Sequence, residues 1–149
     1  AYDIEGMAKV VGCFRNDLRC YVQWVTMSDE FDGPYQWAGG SGHIAVPAPQ
    51  VHKYKALYNI RQAPDIWYAT WAYYNFAQIT KFVKRGAIRI GSTDTNNALK
   101  NVAFLNPDGS IVIVMVNTAE EPTNSMVQIF GKITNVDIPK ESTCTLIFR

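Results

Sequence analysis

The sequence predicts a chain in two parts, α/β up to Gly86 and antiparallel all-β from Ala87. Three observations carry this. An apolar stripe at helical spacing is followed by a compact apolar run, which is half of an α/β repeat. Beyond Ala87 the apolar residues recur at every second position, in short runs separated by turns. Between the two stands Lys84-Arg85-Gly86, a helix stop that passes into a strand without a loop.

The opening segment places Ile4, Met7, Ala8, Val11 and Phe14 on one helical face. Gly6 and Gly12 weaken that helix by about 1 kcal/mol each relative to Ala. "RCYVQWVTM", Arg19 to Met27, is too short for a second helix and rich in Val, Tyr and Trp, so it reads as a buried strand. Ser28 to Gln50 holds four glycines and three prolines and reads as a long irregular loop. Such a loop after a buried strand is where α/β folds place binding surfaces. Residues 51–68 stay undecided between helix and strand; Pro64 argues against a helix running through them.

Thr70 fits an N-cap. Ala72, Phe76, Ile79 and Val83 then line one helical face, widened by Tyr73 and Phe82. Lys84 and Arg85 suit the negative end of the helix dipole, and Gly86 suits the left-handed position after the last turn. The helix is therefore expected to run to the neighbourhood of Gly86. Six strands follow: "AIRIGS", "NVAFLN", "SIVIVMVN", "SMVQIFG", "ITNVDIP" and "STCTLIFR", with "NPDG" (Asn106 to Gly109) as a strong turn. Regular short strands of this kind predict an antiparallel sandwich.

Composition narrows the function. With 14 basic and 13 acidic side chains, the net charge of +1 gives no electrostatic case for nucleic acid or an anionic membrane surface. No apolar run approaches a membrane span. The chain begins at Ala1 without a leader-like stretch, as expected of a processed product or an excised portion. Cys13, Cys20 and Cys144 lack the spacing of a metal site and read as buried or half-buried thiols, with one disulfide left open. Neither a metal nor a cofactor is expected.

Several words of the sequence then stand in a recognisable order: "WVTMSDEFDGPYQW" (Trp24 to Trp37), "YYNFAQITKFVKRGAIRI" (Tyr73 to Ile90), "NVAFLNPDGSIVIVMVN" (Asn101 to Asn117) and the closing "DIPKESTCTLIFR". Together they resemble the C-terminal third of glycoside hydrolase family 30, the glucosylceramidase-like enzymes of the retaining (β/α)8-barrel clan. The resemblance implies that residues 1–86 are the last segment of a (β/α)8 barrel and 87–149 a β-sandwich side domain. It implies that the helix before Gly86 is the last barrel helix, its aromatic stripe packed toward the sandwich. It also implies a carbohydrate substrate, an extracellular or lysosomal setting, and dependence on the rest of the barrel, as the same or another polypeptide or an oligomer.

Retaining glycosidases need two carboxyl groups about 5 Å apart, one the nucleophile and one the acid/base. By resemblance both precede this segment, so no catalytic residue is expected here. Asp29, Glu30 and Asp32 read as solvated or turn-forming loop residues rather than as a substitute pair. Trp24 is the leading substrate-binding candidate. By resemblance it forms a wall of the sugar subsite; the bland alternative is a core tryptophan on a buried strand. Tyr35 and Trp37 stand equally between cleft rim and loop packing. His43 reads as solvent-exposed, and His52 has no support. Val25 in place of the family's Asn, and Asp32 in place of a Gly, set the surroundings of Trp24 apart from the glucosylceramidases. Two functions follow: the C-terminal part of a retaining β-glycoside hydrolase, or a non-catalytic carbohydrate-binding or structural sandwich. The first needs a partner for its parallel strand; the second would be self-contained and bind sugar unaided.

Overall fold

A computed structural model describes residues 4–22, 27–29, 58–60, 67–69, 71–93 and 97–149. Its contacts form two compact units, Val22–Asn75 and Ile4–Tyr21 with Phe76–Arg149. In the first unit, β1 (Met27–Asp29) pairs in parallel with β2 (Tyr58–Ile60), which pairs antiparallel with β3 (Trp67–Ala69). Helix α2 (Trp71–Thr80) starts in this unit, and its residues from Phe76 onward belong to the second.

The second unit is a two-sheet sandwich with a helical layer. Strands β4 (Ile88–Ile90), β5 (Leu99–Leu105), β6 (Ile111–Asn117) and β9 (Ser142–Phe148) form one antiparallel sheet in the order β4-β5-β6-β9. Strands β7 (Thr123–Ile129) and β8 (Lys132–Ile138) form the other. The six expected strands are all present. Period-two alternation assigns the faces. Val112, Val114 and Val116 turn toward Met7, Val10, Val11 and Ile79. Ile111, Ile113 and Met115 turn toward Ile138 and the partly buried Val127, Ile129 and Val136 of the small sheet. Strand β6 is therefore buried on both faces along its length.

Helix α1 (Ile4–Arg15) lies on the four-stranded sheet, with Met7, Val10 and Val11 buried. Each such side chain contributes about 1.5–3 kcal/mol by leaving water. A helix that buries three side chains on these strands is grouped with them, and not with Val22–Asn75. It ends in a Schellman motif: Leu18 N–H donates to Cys13 C=O (3.1 Å) and Asp17 N–H to Phe14 C=O (3.1 Å), with Asp17 at φ 62°. Arg15 then ties the helix end to the strands, donating to Ser92 Oγ (3.1 Å) and the Asn101 carbonyl (3.0 Å).

Two expectations are corrected here. The strand read over Arg19–Met27 begins, among the described residues, only at Met27; Arg19–Val22 is irregular and Val22 is 82% exposed. Its Tyr21 instead packs against Phe76, ring centroids 5.7 Å apart. Secondly, α2 ends at Thr80, six residues before Gly86. Past Thr80 the chain tightens, with Phe82 N–H on the Ile79 carbonyl (3.1 Å), and Asn106, 3% exposed, then accepts from the Lys84 N–H (2.9 Å) and donates to the Phe82 carbonyl (3.0 Å). These groups would otherwise continue the helix. Gly86, at φ 86°, still makes the turn into β4, with Ala87 N–H on the Lys84 carbonyl (3.0 Å).

The junction also holds an ion pair. Lys84 Nζ and then Ser110 donate to Asp108, holding its carboxyl well below the usual carboxylate range. A carboxyl with a depressed folded pKa stabilises above its unfolded value, and the contribution is lost as pH falls through the folded value. Asp108→Asn is therefore expected to melt slightly lower than the parent at pH 7, with the difference shrinking below about pH 4. Parallel melts across pH 2–7 check this; a difference that grows toward acid would contradict it.

Candidate functional site

The site implied by the sequence surrounds the end of β1. That strand lies parallel to β2, Met27 opposite Tyr58 and Asp29 opposite Ile60, so a parallel strand pair exists at this point of the chain. Asp29 closes the strand. Trp24, Tyr35 and Trp37 lie outside the described residues, as do Thr70, Glu30, Asp32, His43 and His52. The structure therefore neither assembles nor separates these candidates. Strands β2 and β3 fall in the stretch the sequence left undecided, on either side of Pro64, the position that argued against a helix.

Three of the described carboxylates hold hydrogen bonds or ion pairs. Asp17 accepts from Arg89 Nε (2.7 Å), Asp108 holds Lys84 and Ser110, and Asp137 accepts from Asn124 Nδ2 (2.6 Å). No group of three or more His, Cys, Asp or Glu able to hold a metal occurs among the described residues. Cys13 and Cys144 are half-buried thiols, whereas Cys20 is exposed; none is in a disulfide. Burial pushes the Cys144 thiol up, which keeps it protonated and unreactive at neutral pH.

The second unit contains a groove of about 720 Å³ between the two sheets. Its floor is Ile90, Leu99, Ala103 and Ile113, and its wall is β7 from Ser125 to Ile129. Ser92, Thr93 and Asn101 supply polar groups at one part, and among the described residues no Asp, Glu or His lines it. No local pattern marks this groove, because β7 reads as an ordinary half-buried strand.

Residues 86–146 match the family model described as the glycosyl hydrolase family 30 beta sandwich domain. Over those residues the chain is similar to a family 30 β-sandwich. Solved structures agree over almost all of its length. SrfJ from Salmonella typhimurium superposes on 98% of the chain with a TM-score of 0.83 at 20% identity. An endo-β1,6-glucanase superposes on 95% with a TM-score of 0.76 at 24% identity. The catalytic domain of a family 30 xylanase C from Talaromyces cellulolyticus superposes on 95% with a TM-score of 0.67 at 17% identity. At these identities the likeness establishes a shared fold. No curated protein matches the chain. The chain spans only about a third of the length of these solved structures, 30%, 30% and 34%.

Proposed function

We propose that the chain is the C-terminal section of a retaining β-glycoside hydrolase, with both catalytic carboxylates on a segment outside these 149 residues. The observation that carries this reading is the family 30 sandwich at residues 86–146. Two of the similar structures are named as polysaccharide hydrolases, an endo-β1,6-glucanase and a xylanase. The parallel pairing of β1 with β2 is in keeping with a chain that supplies the end of a (β/α)8 barrel. On this reading residues 1–86 complete the barrel and 87–149 form the side domain. The partners are a carbohydrate substrate and the rest of the barrel, in the same or another polypeptide.

Within such an enzyme Trp24 forms a cleft wall, its ring face against the apolar C–H face of a sugar, with Tyr35 and Trp37 at the rim. An aromatic face of this kind contributes about 0.5–1.5 kcal/mol beyond its buried area. In the complete enzyme, Trp24→Ala is expected to lower kcat/KM about tenfold or more, equivalent to about 1.4 kcal/mol, while Trp24→Phe retains much of it. Steady-state kinetics on an aryl β-glycoside test this. Unchanged kcat/KM for Trp24→Ala, in a variant that melts like the parent, would remove Trp24 from the site.

A further inference from the structure

Val127, Ile129 and Val136 of the small sheet turn inward, onto the large one. By alternation Asn124, Met126 and Gln128 of β7 and Ile133, Asn135 and Asp137 of β8 turn outward, and all six are exposed. Across the ladder Asn124 stands opposite Asp137, Met126 opposite Asn135 and Gln128 opposite Ile133. Of the six only Asp137 is charged, and it accepts from Asn124 Nδ2 (2.6 Å). Solvent-facing strands commonly carry charges that keep them from associating. This face instead mixes uncharged amides with Met126, 67% exposed, and Ile133, 58% exposed.

The hairpin tip adds an aromatic ring. Phe130-Gly131 joins Ile129 to Lys132 with φ values of 49° and 78°, both in the left-handed region that a tight two-residue hairpin turn demands. Such a turn favours Asn or Gly at its first position, and a bulky side chain there is strained. Phe130 is also 90% exposed, so its ring gains nothing from a core. Strain kept at a residue that neither the turn nor the packing rewards points to work done by that side chain.

We propose that this outer face binds a neutral polysaccharide. The proposal rests on the reading of the chain as part of a polysaccharide hydrolase. Phe130, Met126 and Ile133 meet the apolar C–H faces of sugar rings, as an aromatic or aliphatic surface can. Gln128, Asn135 and the Asn124–Asp137 pair take the hydroxyls, because an amide offers both the donors and the acceptor that a hydroxyl requires. Charge selects against other partners. None of the six outward residues is Lys or Arg, so an anionic partner such as nucleic acid or an acidic lipid has nothing to pair with on them. From Asn124 to Phe130 a rise of about 3.4 Å per residue gives about 20 Å, room for several rings of an extended chain.

Sedimentation of the complete polypeptide with insoluble β1,6-glucan and with insoluble unsubstituted xylan, on ice, tests this. The parent is expected to bind at least one of them, and Phe130→Asn to bind it about five- to tenfold more weakly. Asparagine suits the left-handed turn, so this variant should melt no lower than the parent, and its loss of binding is not a loss of fold. Gln128→Ala combined with Asn135→Ala should weaken binding to a similar degree. Equal binding by the parent and Phe130→Asn, or no binding of the parent to either polysaccharide, would overturn the proposal. So would a dimer of the parent that Phe130→Asn dissociates, since the face would then serve self-association. Glycosidase activity of the parent on an aryl β-glycoside is read separately. Activity without Phe130-dependent binding sinks the surface alone; Phe130-dependent binding without activity sinks the enzyme reading alone.

Discussion

Val114→Asp is expected to abolish the cooperative melting of the unit formed by Ile4–Tyr21 and Phe76–Arg149. Val114 is fully buried at the centre of β6, between β5 and β9, and its side chain meets the face covered by α1. An unpaired carboxylate there costs several kcal/mol even after relaxation. That is comparable with the whole stability of an ordinary domain, about 5–15 kcal/mol. Val114→Ala removes only methyl groups and leaves a small cavity, at about 2–3 kcal/mol, so it should fold and melt lower. Circular dichroism melts of the three chains decide it. An aspartate variant that melts like the parent would mean that β6 is not the central strand.

Asn106→Ala should be the most damaging polar substitution at the helix–strand junction. The side chain makes three bonds: from Lys84 N–H, to the Phe82 carbonyl, and to Ser110 Oγ (3.0 Å). Its backbone also closes the hairpin, with Gly109 N–H on its carbonyl (2.9 Å) and its own N–H on the Ser110 carbonyl (2.9 Å). Alanine keeps the backbone bonds and strands the others. Each stranded buried group costs about 1–3 kcal/mol, so a total near 3 kcal/mol is expected. Asn106→Asp still accepts from Lys84 but no longer donates to Phe82, and should fall between alanine and the parent. If Asn106→Ala and the parent share a midpoint in urea, these bonds do not hold the junction.

These two positions also show what the sequence disclosed. The alternation in "SIVIVMVN" marks β6 directly, because one strand's two faces are encoded in neighbouring residues. The turn "NPDG" is equally local. The chain after α2 is not, since its Lys84 N–H is taken up by Asn106, a residue that looks like an ordinary turn former and lies 22 positions beyond Lys84. The end of α1 carries no glycine signal: its Schellman motif puts Asp17 at the left-handed position. Arg19–Val22 misled because an apolar run was read as buried, whereas among the described residues no strand pairs with it. For Trp24, Tyr35 and Trp37 the sequence and its resemblance remain the source of the assignment. Local pattern names an aromatic in a loop but does not say what its ring faces.

The direct test of the central claim is an activity assay on two samples, the purified 149-residue chain and the complete polypeptide, against aryl β-glycosides. A section without the carboxyl pair should show no turnover above the uncatalysed rate, because the nucleophile and acid/base supply many orders of magnitude. The complete polypeptide should turn over with retention of anomeric configuration. Turnover by the isolated chain that disappears in Asp29→Asn or Glu30→Gln would contradict the account, since it would place the catalytic pair at these two residues.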